Sequence, residues 1–364
     1  MEFAKKGFLY LALAKGMFFL PCKLQLKALI FIALSVLALN ASANGVLVDG
    51  KPFASLKSAI SSIKDGSRVY LQAGVYTEGA YIKASNIAIL GEPGVIFDGA
   101  LADGKAALVL TGDNVEVESV ECANITAPAG NGACIRFEGA NLVARDIHVH
   151  DCESGIMTAG DAGKVEVSYS RFERLGNRNG YAHALYIKAD ELHFRYSSIL
   201  STKMQGSGIK SRSKKVVVEN SIIAALDGVD SRLIDMANYG ELIVRDSILQ
   251  QGNNSSNSQL IAYGLEKKVK QEFEINKIVI KDNLIFFDRR QANVLVRSRL
   301  EDERIISGNV FVGDFNNPNE FVEGNLWYMS RAKAHITSAP YLPQIHEKQI
   351  VMDRIRIIGE AQND

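Results

Sequence analysis

The feature that most constrains this chain is a short apolar phrase that returns about every two dozen residues. From about residue 130, a small residue, an aliphatic residue and a polar residue repeatedly open a strand-like stretch. Self-similarity at a period of roughly 20–50 residues is typical of repeat architectures. The aliphatic anchors are spaced by 21, 29, 24, 25 and 27 residues, at Ile135, Ile156, Leu185, Ile209, Ile234 and Ile261.

Each anchor is followed by two further apolar stretches that polar turns separate. In one period Ile209 is followed by Val216-Val217-Val218 and then by Ser221-Ile222-Ile223. The apolar residues alternate with period two, which indicates strands and argues against helical or leucine-rich repeats. Asn-Gly and Asp-Gly turns, which a sandwich of hairpins would need, are sparse. The sequence therefore predicts an all-β chain, a parallel β-helix with three strands per coil.

A solenoid buries its interior only against neighbouring coils, so its ends need caps. Apolar residues at helical spacing over Phe53–Ile63, stopped by Asp65-Gly66, predict an N-terminal helical cap. The first coil strand then follows at Arg68–Leu71. We expect the β-helix to span residues 44–315, where the periodicity fades, and residues 316–364 to form a C-terminal cap or arm lying along it.

The N-terminus has the pattern of a signal peptide over residues 1–43. Two lysines precede an apolar run, Ala28–Leu39, and Ala41-Ser42-Ala43 forms a small-x-small cleavage site. The run is shorter than the roughly 20 apolar residues of a membrane span. The preceding region is long, so translation is expected to begin at Met17. We expect a periplasmic or secreted protein with no stable membrane span after cleavage; an uncleaved N-terminal anchor is the alternative.

Charge excludes one class of partner. The whole chain has a formal net charge of zero, and the part after residue 43 carries 36 basic and 40 acidic residues, a net charge of −4. This balance offers no general basic surface for nucleic acid. A polyanion would have to be held by a local cluster. We expect a monomer.

Export permits disulfides, and three cysteines remain after the expected cleavage. Cys122 and Cys152 occupy similar places at the ends of successive coils. Stacked coils bring equivalent Cα atoms to about 4.8 Å, within disulfide range. A Cys122–Cys152 bridge and a stack of two buried thiols are both open, and in either case Cys134 is expected to be free.

The N-terminal segment carries a resemblance to a known superfamily. The run from Phe53 through DGSRVYLQAGVYTEG and IAILGEPGVIFDG is similar to the entry segment of the pectate-lyase superfamily of right-handed parallel β-helix proteins. The likeness covers about residues 45–315. It implies the fold and an action on polysaccharide, but not the reaction, because the superfamily holds lyases, hydrolases, epimerases, esterases and non-catalytic proteins.

The signatures of individual branches are not matched. The paired aspartates and Gly-His-Gly of the galacturonan hydrolases, the Asp-Pro-His-Asp of the alginate epimerases and the Arg-x-Pro-x-x-Arg of the calcium-dependent pectate lyases are missing. The phrase GVYTE resembles the opening of pectin methylesterases, whose later aspartate pair is not evident. The resemblance implies that Ca²⁺ can be a cofactor, but no acidic nest for it is evident, and no metal ligand set is predicted.

Strand alternation places a set of polar and aromatic residues on one outer sheet. Residues one and three places after each inward anchor point outward, so Tyr186, Lys210 and Asp235 are expected to form a ladder with steps of about 5 Å. His183 starts its strand at a coil corner, and Gln259 starts a later strand at the same relative place. The candidate substrate-binding residues are Arg136, Lys188, Arg232, Asp235 and Tyr263, the last formally inward.

This cluster suits an acidic sugar chain. β-Elimination of a uronate needs a neutraliser for the C6 carboxylate, a base for the C5 proton and an acid for the departing oxygen. Lysine and histidine can act as the base, arginine binds carboxylate through two nitrogens, and tyrosine can be the acid. We assign Lys210 or His183 as the base, Arg212 or Arg136 as the neutraliser and Tyr186 as the acid. Some β-helix alginate and chondroitin lyases resemble this in using a Lys/Arg pair.

Other interpretations stay open. Exposed Lys and Arg are commonly solvated edge protection, and Asp235 can form an ion pair with Lys210 or Arg212. His148 and His150 share one face of a strand, as a metal pair or as solvated surface, and the other histidines look incidental. The leading hypothesis is a lyase acting on an acidic polysaccharide. The second is a non-catalytic β-helix that binds glycan during export or assembly, or serves as a surface module.

Overall fold

The structure is a computed structural model that describes residues 45–160, 162–178, 180–266, 273–316 and 324–361. The predicted signal peptide, residues 1–43, lies outside these residues. Within them, no helix combines the length and the apolar character needed to cross a bilayer. The described chain is nearly all β, with parallel strands stacked in about nine turns, which confirms the predicted parallel β-helix.

Each coil contributes strands to three faces. Face 1 is a nine-stranded sheet of β5 (Ala80–Ile82), β8 (Ala106–Leu110), β10 (Ala133–Phe137), β12 (Ser154–Thr158), β15 (Leu185–Ile187), β18 (Ile209–Ser211), β21 (Ile234–Met236), β24 (Gln259–Tyr263) and β27 (Val294–Ser298). Face 2 holds β3 (Arg68–Leu71), β6 (Ala88–Gly91), β13 (Lys164–Ser168), β16 (Glu191–Arg195), β19 (Lys215–Glu219), β22 (Glu241–Arg245), β25 (Lys277–Lys281) and β28 (Glu303–Ser307). Face 3 holds β4 (Gly74–Tyr76), β7 (Val95–Asp98), β14 (Arg171–Glu173), β17 (Ser198–Leu200), β20 (Ile222–Ala224), β23 (Ile248–Gln251), β26 (Leu284–Phe287), β29 (Val310–Gly313) and β30 (Leu326–Tyr328). Two nine-residue strands, β9 (Val115–Ala123) and β11 (Leu142–His150), run through faces 2 and 3.

The predicted anchors stack in register along the inside of face 1. Every successive pair in the series is a Cα partner in neighbouring parallel strands: Ile135, Ile156, Leu185, Ile209, Ile234 and Ile261. All six are fully buried. The unequal spacing of the anchors is taken up by the turns, so insertions change loop length and leave the column of aliphatic side chains unbroken.

The N-terminal cap forms where the sequence predicted it, but its helix is shorter. The helix α1 covers Leu56–Ala59 and continues as a 3₁₀ turn over Ile60–Ser62. Ser55 begins it, because its hydroxyl accepts a hydrogen bond from the N–H of Ser58 at 3.2 Å. Before it, a hairpin of β1 (Val46–Val48) and β2 (Lys51–Phe53) pairs antiparallel, and β1 also pairs with β3.

The C-terminal segment packs on the outside of face 3. The helix α2 spans Lys348–Ala361, and its Met352 and Ile355 are buried in an apolar cluster with side chains of face 3. Arg331 adds an ion pair to Asp288 (2.7 Å) and lies 4.2 Å from the centre of the Phe286 ring. The coil stacking also continues past residue 316, since β30 pairs with β29. The domain boundaries themselves stay a prediction.

A polar column, the corner ladder, stabilises the bend between faces 2 and 3. The residue before each bend adopts a left-handed conformation, with φ between 48° and 57° at Ser119, Asp146, Tyr169, Tyr196, Asn220, Asp246 and Asp282. After the bend, each backbone N–H donates to the next side-chain oxygen at 2.9–3.2 Å along Ser170, Ser197, Ser221, Ser247, Asn283, Asn309 and Asn325. The ladder therefore satisfies backbone donors that the bend would leave unpaired in the interior.

The cysteine prediction was wrong. Cys122 forms a disulfide with Cys134 across 12 residues, with Cα atoms 5.6 Å apart, and Cys152 is a buried free thiol. The reason is register: Val149, not Cys152, is the neighbour of Cys122 in the next coil. Burial, the main influence, raises the pKa of Cys152 to about 12, so this thiol stays protonated at neutral pH.

Replacement of a ladder residue is expected to destabilise the fold. Ser221→Ala removes the acceptor of the Ser197 N–H, which is buried, and should lower the free energy of unfolding by about 1–3 kcal/mol. Ser168→Ala, on the outer side of β13, is the matched control and should change it by less than about 0.5 kcal/mol. Urea denaturation measures both; equal effects would contradict the ladder's role.

Loss of the disulfide should cost more than loss of the free thiol. Closure of a 12-residue loop predicts that Cys134→Ala lowers the free energy of unfolding by about 3 kcal/mol. Cys152→Ala removes a buried sulfur without opening a covalent loop, so a smaller loss is expected. Denaturation of the oxidised proteins, with thiol counting by mass spectrometry, tests this. Three free thiols in the oxidised protein without residues 1–43, where the pairing leaves one, would contradict the disulfide.

Candidate functional site

The predicted ladder exists on the outer side of face 1. Tyr186 is the Cα partner of Lys210, and Lys210 is the partner of Asp235, in three successive coils. The polypeptide places them outward because the residue before each of them is an inward anchor. Tyr186 and Lys210 are partly buried and Asp235 is buried. Turns on both sides of these strands bring further polar groups to the row, so the site draws on four coils.

Arg212 connects all four coils. Its Nε donates to the Tyr186 hydroxyl at 3.0 Å, one coil back. Its two terminal nitrogens donate to the Asn238 amide oxygen at 2.7 Å and to the Glu266 carboxylate at 2.6 Å, one and two coils forward. A planar guanidinium has donors in fixed directions, so these three partners lock its orientation.

Glu266 is a site residue that the sequence analysis missed. Its second carboxylate oxygen lies 2.8 Å from Lys210 Nζ, so one carboxylate bridges Lys210 and Arg212. Burial acts to raise the pKa of Glu266, but the hydrogen bonds from these two cations outweigh it and the pKa is lowered. A signal was present: Arg212, Asn238 and Glu266 stand three, four and five residues after consecutive anchors, in equivalent turns.

Asp235 has a different partner from the one expected. It pairs with Arg232, three residues earlier, at 3.3 Å, whereas Lys210 and Arg212 are held by Glu266. Arg232 also faces Gln259, whose amide oxygen, turned towards it, accepts from Nε at 2.8 Å and from a terminal nitrogen at 2.9 Å. Burial raises the pKa of Asp235 against the opposing effect of Arg232.

His183 is buried at the corner where β15 begins. It is 7% exposed, and its Nδ1 accepts the backbone N–H of Ser207 at 3.0 Å. Its ring centre is 5.8 Å from that of Tyr186. Burial, together with the charge of Lys210, lowers the pKa of His183 to about 3. The imidazole is therefore neutral at physiological pH, with its proton on Nε2.

The other predicted substrate-binding residues lie at varying distances from this cluster. Arg136 is in the same outward row, two coils before Tyr186, and pairs with Glu138 at 3.2 Å. Lys188 is exposed, just after β15. Tyr263 is buried in the core, where its hydroxyl donates to the carbonyl of Gly240, so it does not reach the outer surface.

The cluster formed by His183, Tyr186, Lys210, Arg212, Arg232, Asp235 and Glu266 is named the basic strip below. It combines three cations with two carboxylates, so one positive charge remains. Within it, Lys210 and Arg212 together bind one carboxylate, that of Glu266. The Tyr186 hydroxyl is in contact with that pair through Arg212.

Comparisons with known proteins add little to this geometry. No protein-family profile matches the sequence, and no curated protein matches it. Among solved structures, the fold is similar to a variant of a PL6 family alginate lyase, with 12% sequence identity and a TM-score of 0.36. That match covers 75% of this chain and 52% of the other, so this chain spans about half of that protein. The stacked three-strand coils described above identify the chain as a parallel β-helix protein.

Proposed function

We propose that this protein is exported and acts on a polysaccharide, as a lyase that cleaves an acidic, uronate-containing chain by β-elimination. One observation supports this most directly: Lys210 and Arg212 bind a single carboxylate, that of Glu266, at 2.8 and 2.6 Å. A uronate C6 carboxylate presents the same charge and the same two acceptor oxygens. The Cys122–Cys134 disulfide is consistent with an oxidising compartment.

In this proposal Glu266 competes with the substrate. Its carboxylate neutralises the two cations while the site is empty, and a uronate would take over one or both of them. Arg212 would remain oriented during the exchange, because Tyr186 and Asn238 hold its other nitrogens. Such preorganised donors stabilise negative charge better than mobile ones.

The reaction needs one proton removed and one returned. A base takes the C5 proton, the electron pair forms the C4–C5 double bond, the C4–oxygen bond breaks, and the departing oxygen takes a proton. Cations bound to the C6 carboxylate make the C5 proton easier to remove, because they stabilise the negative charge that develops on this carboxylate as the proton leaves. Lys210 is proposed as the base after Glu266 is displaced and its ammonium has released a proton to solvent; Arg212 then holds the C6 carboxylate, and Tyr186 is the acid that protonates the departing oxygen.

His183 is better suited to donate a hydrogen bond than to act as a base. Its Nδ1 is occupied by the Ser207 N–H, so Nε2 carries the ring proton. As a base it would have to become a cation in a buried place beside Lys210, which its low pKa opposes. We therefore propose that His183 positions the sugar through Nε2–H, and Lys210 is the better base of the two that the sequence offered.

The second candidate is a non-catalytic protein that binds glycan. It is favoured by the ion pairs themselves, since a strip whose Lys210 and Arg212 stay bound to Glu266 would bind sugars without a free base. Elsewhere on the surface, the exposed side chains of Tyr169 and Tyr196 stack with ring centres 5.3 Å apart. They offer a further flat apolar surface on which a sugar ring could pack.

Activity on a panel of polyuronates tests the two candidates. The absorbance of the unsaturated product should rise with at least one polymer, and Tyr186→Phe, which removes only a hydroxyl, should slow the initial rate by about 100-fold or more. Arg145→Ala, an exposed arginine on face 2, is the control and should keep the parent rate. Binding to a polymer without any new chain ends would exclude the lyase and favour the binding protein.

Glu266→Gln should tighten polyuronate binding. Removal of its charge frees Lys210 and Arg212 for the substrate, so the dissociation constant for the polymer should fall several-fold, as measured by calorimetry at low salt. Glu303→Gln, which has an exposed carboxylate on face 2, is the matched control. Weaker binding by Glu266→Gln would mean that Glu266 positions the two cations and does not compete.

Acid should destabilise the protein through His183. The unfolded state binds a proton near pH 6.5 and the folded state only near pH 3, so the free energy of unfolding falls as the pH drops through this window. The loss of unfolding free energy begins below about pH 6.5 and is at most about 1.4 kcal/mol for each pH unit. Compared with the parent, His183→Gln should flatten the fall between pH 6 and 4.5 in urea denaturation, while His335→Gln should not. An unchanged slope would show that His183 is charged in the folded state.

A further inference from the structure

A second cluster of chemically active side chains lies on face 3, away from the basic strip. Glu121 in β9 is the Cα partner of His148 in β11, and His150 is two residues further along the same side of β11. Among the described residues, these three form a set whose ligand atoms, one from each side chain, all lie within 4.8 Å of one another. Their side chains are partly exposed, so an ion can reach them.

The three side chains are close enough for a small ion to bind once their ligand atoms move towards it. His150 Nε2 is 3.1 Å from one Glu121 oxygen, and His148 Nδ1 is 3.6 Å from the other. The two imidazole centres are 4.8 Å apart. A tetrahedral ion about 2.0–2.2 Å from its ligands places them about 3.4 Å from each other. The two observed distances, one to each Glu121 oxygen, are close to this value, so a shift of the side chains is enough to bring one oxygen and both ring nitrogens around one ion.

A second layer of contacts orients His150. Its Nδ1 lies 2.8 Å from Asp151, and Arg174 holds that carboxylate with two hydrogen bonds of 2.9 and 2.7 Å. A carboxylate on one ring nitrogen fixes the proton there and leaves the other nitrogen as the ligand, the arrangement common around protein-bound zinc. Here the remaining nitrogen, Nε2, is the one that faces Glu121.

We propose that Glu121, His148 and His150 bind one divalent transition-metal ion of the Zn²⁺ type. Two imidazoles and one carboxylate select such ions over Ca²⁺ and Mg²⁺, which prefer oxygen ligands throughout. Three protein ligands leave a fourth position on the solvent side for water or another ligand. The ion would also join two neighbouring coils, β9 and β11, so binding should stabilise the fold.

Sequence alone could not decide between this site and solvated histidines. The spacing of His148 and His150 shows that they share a face, but the third ligand comes from the preceding coil. Face 2 offers a comparison: His193 contacts Glu191 at 2.7 Å and Arg195 at 2.8 Å, an ordinary histidine–carboxylate contact with an arginine in the place of a further ligand. It is the matched control for a histidine that does not bind metal.

The test is titration of the untagged, chelator-treated protein with Co²⁺ and then Zn²⁺. One equivalent of Co²⁺ should give the visible absorption of a four-coordinate site, and Zn²⁺ should displace it. His148→Ala and Glu121→Gln should weaken binding about 100-fold or more, and Asp151→Asn, which acts through His150, about 10–100-fold. His193→Ala should bind as the parent does.

Thermal unfolding supplies the second measurement. Zn²⁺ should raise the Tm of the parent and of His193→Ala, and should leave that of Glu121→Gln unchanged. Equal Tm values in chelator would show that the variants fold. If His148→Ala fails to fold, the near-isosteric Glu121→Gln still tests the metal site. Absence of Co²⁺ and Zn²⁺ binding below millimolar concentration, or parent-like binding by Glu121→Gln, would overturn the proposal. Neither result depends on whether the basic strip is catalytic.

Discussion

The register between successive coils is the constraint on which everything else in this protein depends. Because each coil adds one strand to each face, residues two dozen positions apart become neighbours about 4.8 Å apart. The inward columns, such as the one through Ile135 and Ile156, exclude water from the interior. The side chains of the corner ladder accept hydrogen bonds from backbone N–H groups where the chain bends, so these buried donors are paired. Apolar columns and polar ladder fix the same register, so a shift in one coil would disrupt both.

This constraint explains how much the sequence could predict. Period-two alternation and recurring aliphatic anchors determine which residues face inward, and from that the row of Tyr186, Lys210 and Asp235 follows directly. The bridge of the cysteines did not follow, because it depends on the register at one position. The prediction aligned Cys122 with Cys152, but Cys122 pairs with Val149, three residues earlier in the next coil. Small local shifts of this kind are invisible to a repeat period.

The partners of charged groups were harder to predict than their positions. Lys210 and Arg212 were placed correctly on face 1, yet the carboxylate that binds them lies 54 residues beyond Arg212, in the long connection after β24. Asp235 instead forms an ion pair with Arg232, three residues earlier in the same coil. Turns vary in length and conformation, and the strand pattern says nothing about where a turn side chain ends up. Glu266 was therefore missed although its offset from Ile261 resembles that of Arg212 from Ile209.

The two candidate sites also show how a solenoid separates functions. The basic strip uses outward residues and turns from β15 to the loop after β24, on face 1, whereas the histidine cluster uses β9 and β11 on face 3. The sites share neither coils nor faces, and the parallel-paired strands β12, β13 and β14 lie between them. A ligand at one site should then leave the affinity of the other unchanged, because coupling requires an element with two arrangements that both sites bias. In a repeat protein this independence is expected because most contacts join neighbouring coils; even Arg212 reaches only two coils forward, to Glu266.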